Sequence, residues 1–240
     1  MSETCQSVAP GDLAYACWAY ETMTGYAKSW QVFREAVGDH ADLRVPEHRD
    51  ALFTWLNSWG CRIAAKSEAR VKSCFREWYA RNGDRLLGRN VDLAEASDGD
   101  LRDVADLYGS LVGDMRRAAA KRSLRFGPTA VSKTLFALRP RLLPAWDSAI
   151  REALVDGEDS GEAYVRYVCR VRRDIRGVAR RGAELGLTRL PAVLCPSRQA
   201  TMAQLMGEYY WVTVTRGVQI PSLQCRRDWM AWSIARESRA

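Results

Sequence analysis

Histidine is nearly absent from this chain: only His40 and His48 occur, and no H-E-x-x-H pair. That excludes a histidine-rich metal centre and argues against a Ser-His-Asp triad, since both need imidazoles at set positions. The seven cysteines (Cys5, Cys17, Cys61, Cys74, Cys169, Cys195 and Cys225) include no C-x-x-C pair. No clustered zinc or iron–sulfur ligand set is therefore expected, and the odd count reads as reduced thiols in a cytoplasmic protein. No apolar run approaches the roughly 20 residues a membrane span needs. The first residues form neither a basic leader nor an apolar signal core, so no membrane partner or secretion is expected. Lysine is scarce as well. Of 36 basic residues only Lys28, Lys66, Lys72, Lys121 and Lys133 are lysines, so each candidate amine nucleophile is easy to examine.

What is present is arginine, tryptophan and helical periodicity. The chain has 240 residues, 47% of them hydrophobic and 27% charged, so it can bury a core as one helical domain, or as two closely fused lobes. The net charge of +7, carried mostly by arginine, reflects biased composition or a phosphate-binding surface. The pattern is nearly all helix. Helices are expected over residues 12–26 and 29–37. The next opens at Val45-Pro46 and carries Leu52, Trp55, Leu56, Trp59 and Ile63 on one face. Another spans 67–81, with Asn82-Gly83 as its stop. A polar loop, 88–100, precedes a helix over 101–115. Further helices are expected over 129–138, from Asp147, over 161–185 and over 197–216, with a last one from Pro221 carrying Trp229 and Trp232. Seven arginines lie between Arg166 and Arg181. They read as a solvated face or as a face contacting a nucleic-acid backbone. The run Trp211-Val-Thr-Val-Thr215 has strand propensity and leaves the end of its helix open.

The most informative stretch is Phe126-Gly-Pro-Thr-Ala-Val-Ser-Lys-Thr-Leu-Phe-Ala-Leu-Arg-Pro-Arg-Leu-Leu-Pro-Ala-Trp-Asp-Ser-Ala-Ile-Arg151. It reads as a glycine turn, a helix, a proline-bounded loop and an aspartate at a new helix start. The turn exposes backbone N–H groups to an anion. Lys121, Arg122 and Arg125 just before it add phosphate attraction. Asp147 is suited to cap the helix that follows.

This segment resembles the helix-hairpin-helix DNA glycosylase superfamily, most closely a bacterial branch similar to 8-oxoguanine glycosylases. The resemblance spans roughly residues 120 to 155. Trp55-Leu-Asn-Ser-Trp-Gly-Cys-Arg62 and Glu208-Tyr-Tyr-Trp211 look similar to the same branch. It implies an all-α helix-hairpin-helix glycosylase-like fold with two helical lobes and a cleft, and base excision on double-stranded DNA by a monomer without a cofactor. By the same resemblance Asp147, in Asp-Ser-Ala-Ile-Arg151, is the catalytic carboxylate, and Gly127, Thr129, Lys121, Arg122 and Arg125 hold the DNA backbone.

Two departures stand out. The hairpin reads Gly127-Pro128-Thr129 instead of G-x-G, and Pro128 removes one backbone donor. The family's nucleophilic lysine position, 18 residues before the aspartate, holds Thr129; the nearest lysine is Lys133, about one helical turn on. Lys133 is accordingly the second catalytic candidate, and a water nucleophile is preferred to a lysine. Base chemistry of this kind needs flat walls and a few polar groups, for which Trp59, Arg62 and Trp146 are the candidates. The sequence also admits a non-catalytic DNA-binding protein on the same fold, or a helical domain that binds a small molecule or a protein.

Overall fold

The computed structural model describes residues 8–87, 91–119, 126–222 and 224–225. Lys121, Arg122 and Arg125, and the helix expected beyond Pro221 with Trp229 and Trp232, lie outside the described residues. Among the described residues the structure is all-α and no strand forms. The α-helices are α1 (Pro10–Met23), α2 (Tyr26–Val37), α3 (Pro46–Ser58), α4 (Glu68–Leu87), α5 (Asp98–Leu101), α6 (Val104–Ala119), α7 (Pro128–Leu138), α8 (Ser148–Val155), α9 (Gly161–Glu184), α10 (Leu190–Leu194) and α11 (Met202–Tyr210). A 3-10 turn, Ala65–Ser67, precedes α4, and a π turn, Trp211–Thr215, continues α11. No described helix is long and apolar enough to cross a membrane.

Side-chain caps fix several helix starts. Ser160 Oγ accepts from Ala163 N at the head of α9, Thr201 Oγ1 from Gln204 N at α11 and Asp147 Oδ1 from Ile150 N at α8. Pro46 and Pro128 occupy first-turn positions of α3 and α7, where a missing N–H costs nothing. One hydrophobic cluster runs from Val8 to Tyr210, and a smaller one gathers Ala16, Ala19, Tyr20 and Val212.

Several expectations need correction. Asn82-Gly83 does not stop α4, which continues to Leu87. Asn82 Nδ2 donates to Trp78 O within the helix, and Gly83 lies against the Tyr79 ring, where a Cβ would come within 2.9 Å of Cε1. The pair serves packing there. The helix expected over 101–115 is broken, since α5 ends at Leu101 and α6 starts at Val104. The run from Trp211 to Thr215 makes no strand; it widens the helical ladder so that Arg216 N donates to Trp211 O.

Three of the α9 arginines, Arg166, Arg172 and Arg176, are engaged within the fold. Arg172 donates to Ala96 O at 2.9 Å and to Asp98 Oδ1 at 2.6 Å. Arg176 donates to Ala94 O and Ala96 O at 2.8 and 3.1 Å. Arg166 pairs with Glu158. These contacts staple the irregular stretch before α5 onto α9 and satisfy carbonyls that no helix ladder would pair.

Candidate functional site

The site is assembled by two chain reversals that face each other. The first is the end of α3. Gly60 has a positive φ of 77°, and Arg62, a non-glycine, has φ of 50°. Asn57 holds this turn by accepting from Ile63 N at 2.7 Å and donating to Ile63 O at 3.3 Å. The strained backbone is thus fixed from within its own helix. Trp59 sits at the bend, 9% exposed, with its indole N–H donating to Ser29 Oγ at 3.0 Å and Tyr26 O at 3.2 Å.

The second reversal joins α7 to α8. The connecting chain, Arg139 to Asp147, is mostly buried, so its carbonyls need partners. Tyr164 OH donates to Pro144 O at 2.9 Å, Tyr167 OH to Ala145 O at 2.8 Å, and Ser132 Oγ to Trp146 O at 3.0 Å. Ser132 Oγ also accepts from Trp146 N at 3.2 Å. Two helices therefore hold the backbone leading into Asp147. The aspartate itself is doubly engaged: besides capping α8 through Oδ1, its Oδ2 accepts from Thr215 Oγ1 at 2.8 Å. The π turn supplies that hydroxyl.

Between the reversals lie an outer cavity of about 400 Å³ and a narrower inner recess of about 60 Å³. Gly60, Cys61, Arg62, Gly127, Thr129 and Ser148 line the outer cavity only. Tyr26, Trp59, Lys133, Asp147 and Trp211 line both, and so form the neck. Gln204 and Glu208, each 4% exposed, line the recess beyond it. The aromatic neck is tightly built. Tyr26 stands 5.8 Å from Trp59 and 6.0 Å from Trp211, and Tyr20 packs edge-on to Trp211 at 5.4 Å.

Lys133 crosses from α7 to the end of α3. Its Nζ donates to Trp59 O at 2.6 Å and lies 5.6 Å from the Trp59 ring centre. Trp59 O is among the carbonyls a helix C-terminus leaves unpaired, so it carries extra negative character. Burial pushes the Lys133 ammonium below its usual range, partly offset by Cys61 and Asp147. The amine is thus half-buried, unlike a solvated surface lysine.

Of the candidates named from sequence, Asp147, Lys133, Gly127, Thr129, Trp59 and Arg62 line these two cavities together. Trp146 borders the recess too, but its ring is 1% exposed and packs on Tyr108, Tyr164 and Tyr167. It forms part of the packed wall of the recess. Thr215, Gln204 and Glu208 were not anticipated. For the last two the signal was a Gln–Glu pair four residues apart inside an otherwise apolar helix.

Behind Glu208 lies a charged cluster. Arg198 pairs with Glu208 through Nη2 and with Glu21 Oε1 through Nε at 2.7 Å. Ser197 Oγ also bonds Glu21. Burial pushes Glu208 up to about 7 against the opposing pull of Arg198 and Gln204. Burial also opposes the charge on Arg198, but Glu208 and Glu21 outweigh it and hold the guanidinium protonated.

No group of three or more His, Cys, Asp or Glu residues able to hold a metal ion occurs among the described residues. No family model, curated protein or solved structure matches the chain.

Proposed function

We propose that this chain is a DNA glycosylase of the helix-hairpin-helix type, with two helical lobes flanking the cavities, that excises a base from double-stranded DNA. The observation that carries the reading is the shared lining of one neck by Asp147 and Lys133 under aromatic walls. Breaking an N-glycosidic bond develops positive charge on the sugar, and a fixed carboxylate stabilises it. Asp147, oriented by Ile150 N and Thr215, has that role. The start of α7 at Gly127, with Arg62 opposite, suits backbone phosphate. The base leaves the stack and enters between flat side chains.

Against the preference for water drawn from the sequence, Lys133 is the nucleophile we favour, because it reaches the neck whereas Thr129 lines only the outer cavity. In its neutral form the Nζ lone pair forms a bond to C1′ as the glycosidic bond breaks. The bonding pair leaves with the base nitrogen, which takes up a proton. Loss of the amine proton and opening of the sugar ring then give an imine. The depressed ammonium pKa favours this sequence: the neutral amine gains population below the ordinary lysine range, so imine formation rises with pH earlier than for a solvated lysine.

The test is a panel of duplexes carrying single modified bases, scored for abasic sites and for borohydride-trapped protein–DNA adducts. Wild type should yield both. Asp147→Asn should lose base release by about a hundredfold or more while still binding DNA, since asparagine still caps a helix. Lys133→Gln should abolish the adduct. Base release without any adduct would reassign the attack to water. Full activity in Asp147→Asn would overturn the glycosylase reading.

A further inference from the structure

We infer that the inner recess is a recognition pocket for a planar heterocycle that presents two amino N–H donor groups along one edge, held by Glu208 and Gln204. The argument starts from hydrogen-bond valence. An ionised carboxylate only accepts, so Gln204 must turn its amide NH₂ toward it, and Nε2 donates to Glu208 Oε1 at 3.1 Å. That orientation leaves the Gln204 carbonyl oxygen as a second acceptor. Each Glu208 oxygen has received one bond, from Gln204 or from Arg198, and retains a further lone-pair site. Arg198, the strong donor of the cluster, does not line the recess. The inner end therefore offers acceptors from two side chains, both more than nine-tenths buried.

Charge points the same way. Glu21 and Glu208 share the single guanidinium of Arg198, so the cluster carries one surplus negative charge when both carboxylates are ionised. A buried acceptor set with surplus negative charge is stabilised by a donor-bearing or cationic partner and penalises one that brings its own acceptors. The aromatic faces of Tyr26, Trp59, Phe136 and Trp211 around the same space favour a flat ring and, through their π systems, a positive one. The recess itself is small, which favours a single ring over a bicycle.

As a statement about which base is excised, this inference rests on the glycosylase reading. As a statement about the recess it does not, and free ring compounds test it alone. The probe is 2,4-diaminopyrimidine, with unsubstituted pyrimidine and uracil as controls, titrated into the full chain at pH 8 and read by quenching of tryptophan fluorescence and by calorimetry. The diamino ring should bind at least tenfold more tightly than either control. Glu208→Gln should remove that preference, because the surplus charge and the acceptor-only edge are both lost. Equal binding of all three rings, no binding of the diamino ring, or an unchanged preference in Glu208→Gln would each overturn the proposal. The comparison of rings on wild type needs no variant to fold. A chain that excises bases but shows no such preference would refute the pocket alone; one that binds the diamino ring but releases no base would refute the glycosylase reading alone.

Discussion

Asp147 is fixed from two sides, and in the proposed reaction its structural and chemical roles would meet. Its two carboxylate oxygens are used separately, Oδ1 by the start of α8 and Oδ2 by the Thr215 hydroxyl. The first bond is available to any capping aspartate. The second depends on a π turn that carries Thr215 back toward the neck, and such turns recur at functional positions. Thr215→Val keeps the shape of the side chain and deletes only that donor. Chemical denaturation should show a loss of about 1 kcal/mol, the worth of one hydrogen bond. Base release should fall much further, by about tenfold, in kcat with KM nearly unchanged, and Thr215→Ser should restore it. A loss of activity no larger than the loss of stability would mean that Thr215 merely supports the fold. Glu208 supplies a second expectation at this scale. Its folded pKa of about 7 lies above the ordinary glutamate value of 4.5. Between those two values the unfolded chain releases its proton first, so stability declines as pH rises through this window and is level above it. Glu21 is shifted the other way, by hydrogen bonds from Ser197, Arg198 and Cys195 that outweigh its burial, so its contribution is lost only as pH falls below the ordinary range. Thermal unfolding of wild type should therefore show a falling Tm between about pH 4.5 and 7, and Glu208→Gln should flatten that slope. Parallel curves for the two proteins would show that Glu208 is ionised throughout.

At the scale of elements, the contact of α6 with α9 has little tolerance. A Cβ placed on Gly161 would sit 2.3 Å from the Ala105 carbonyl oxygen, and backbone cannot turn aside as a side chain can. Alanine has the better intrinsic helix propensity, by about 1 kcal/mol, but overpacking against backbone costs more. Gly161→Ala should lose about 2 kcal/mol or more by urea unfolding, and a neutral result would show that the helices separate freely. The same two helices show what sequence can and cannot reveal. The apolar seam of α9 through Tyr164, Val168, Val171, Ile175 and Val178 is legible because burial repeats with the helical period, and all five residues are buried. Where its arginines go is not legible, because Arg172 and Arg176 bond carbonyls of residues about 80 positions away. The glycine turn, α7 and the Asp147 cap are local features and read directly from Phe126 to Arg151. The meeting of Lys133 with Trp59, 74 residues apart, is tertiary, and periodicity carries no trace of it. Thr215 escaped for a different reason. Val212, Thr213, Val214 and Thr215 favour a strand on propensity, but no partner strand exists among the described residues, and α11 extends through them instead.

For the whole molecule, the net charge of +7 matters less than where unpaired charge remains. On α9, Arg166 and Arg172 are paired with carboxylates, and Arg172 and Arg176 also bond carbonyls. Around the cavities the situation is reversed. Arg62 lines the outer cavity and Arg216 lies over the Trp211 ring at 5.5 Å. Neither has an ion-pair partner among the described residues. On the glycosylase reading an anionic backbone would be drawn to the cavity face, while Arg172 and Arg176 serve the fold. Binding of duplex DNA should weaken steeply as salt rises, since each neutralised phosphate releases condensed counterion. Arg62→Ala should lower affinity for all sequences alike and reduce the slope of log affinity against log salt by about 1, leaving Tm nearly unchanged. Arg172→Ala should do the opposite: lower Tm by removing one of the two arginine bonds to the Ala96 carbonyl and by freeing Asp98, with the salt slope of the folded protein unaltered. Phosphate contacts position without reading sequence, so a loss in Arg62→Ala confined to one duplex sequence would convert that residue from an anchor into a base reader. A salt slope that drops equally in both variants would place DNA on α9 as well as at the cavities, and the division of labour between paired and unpaired arginines would fail.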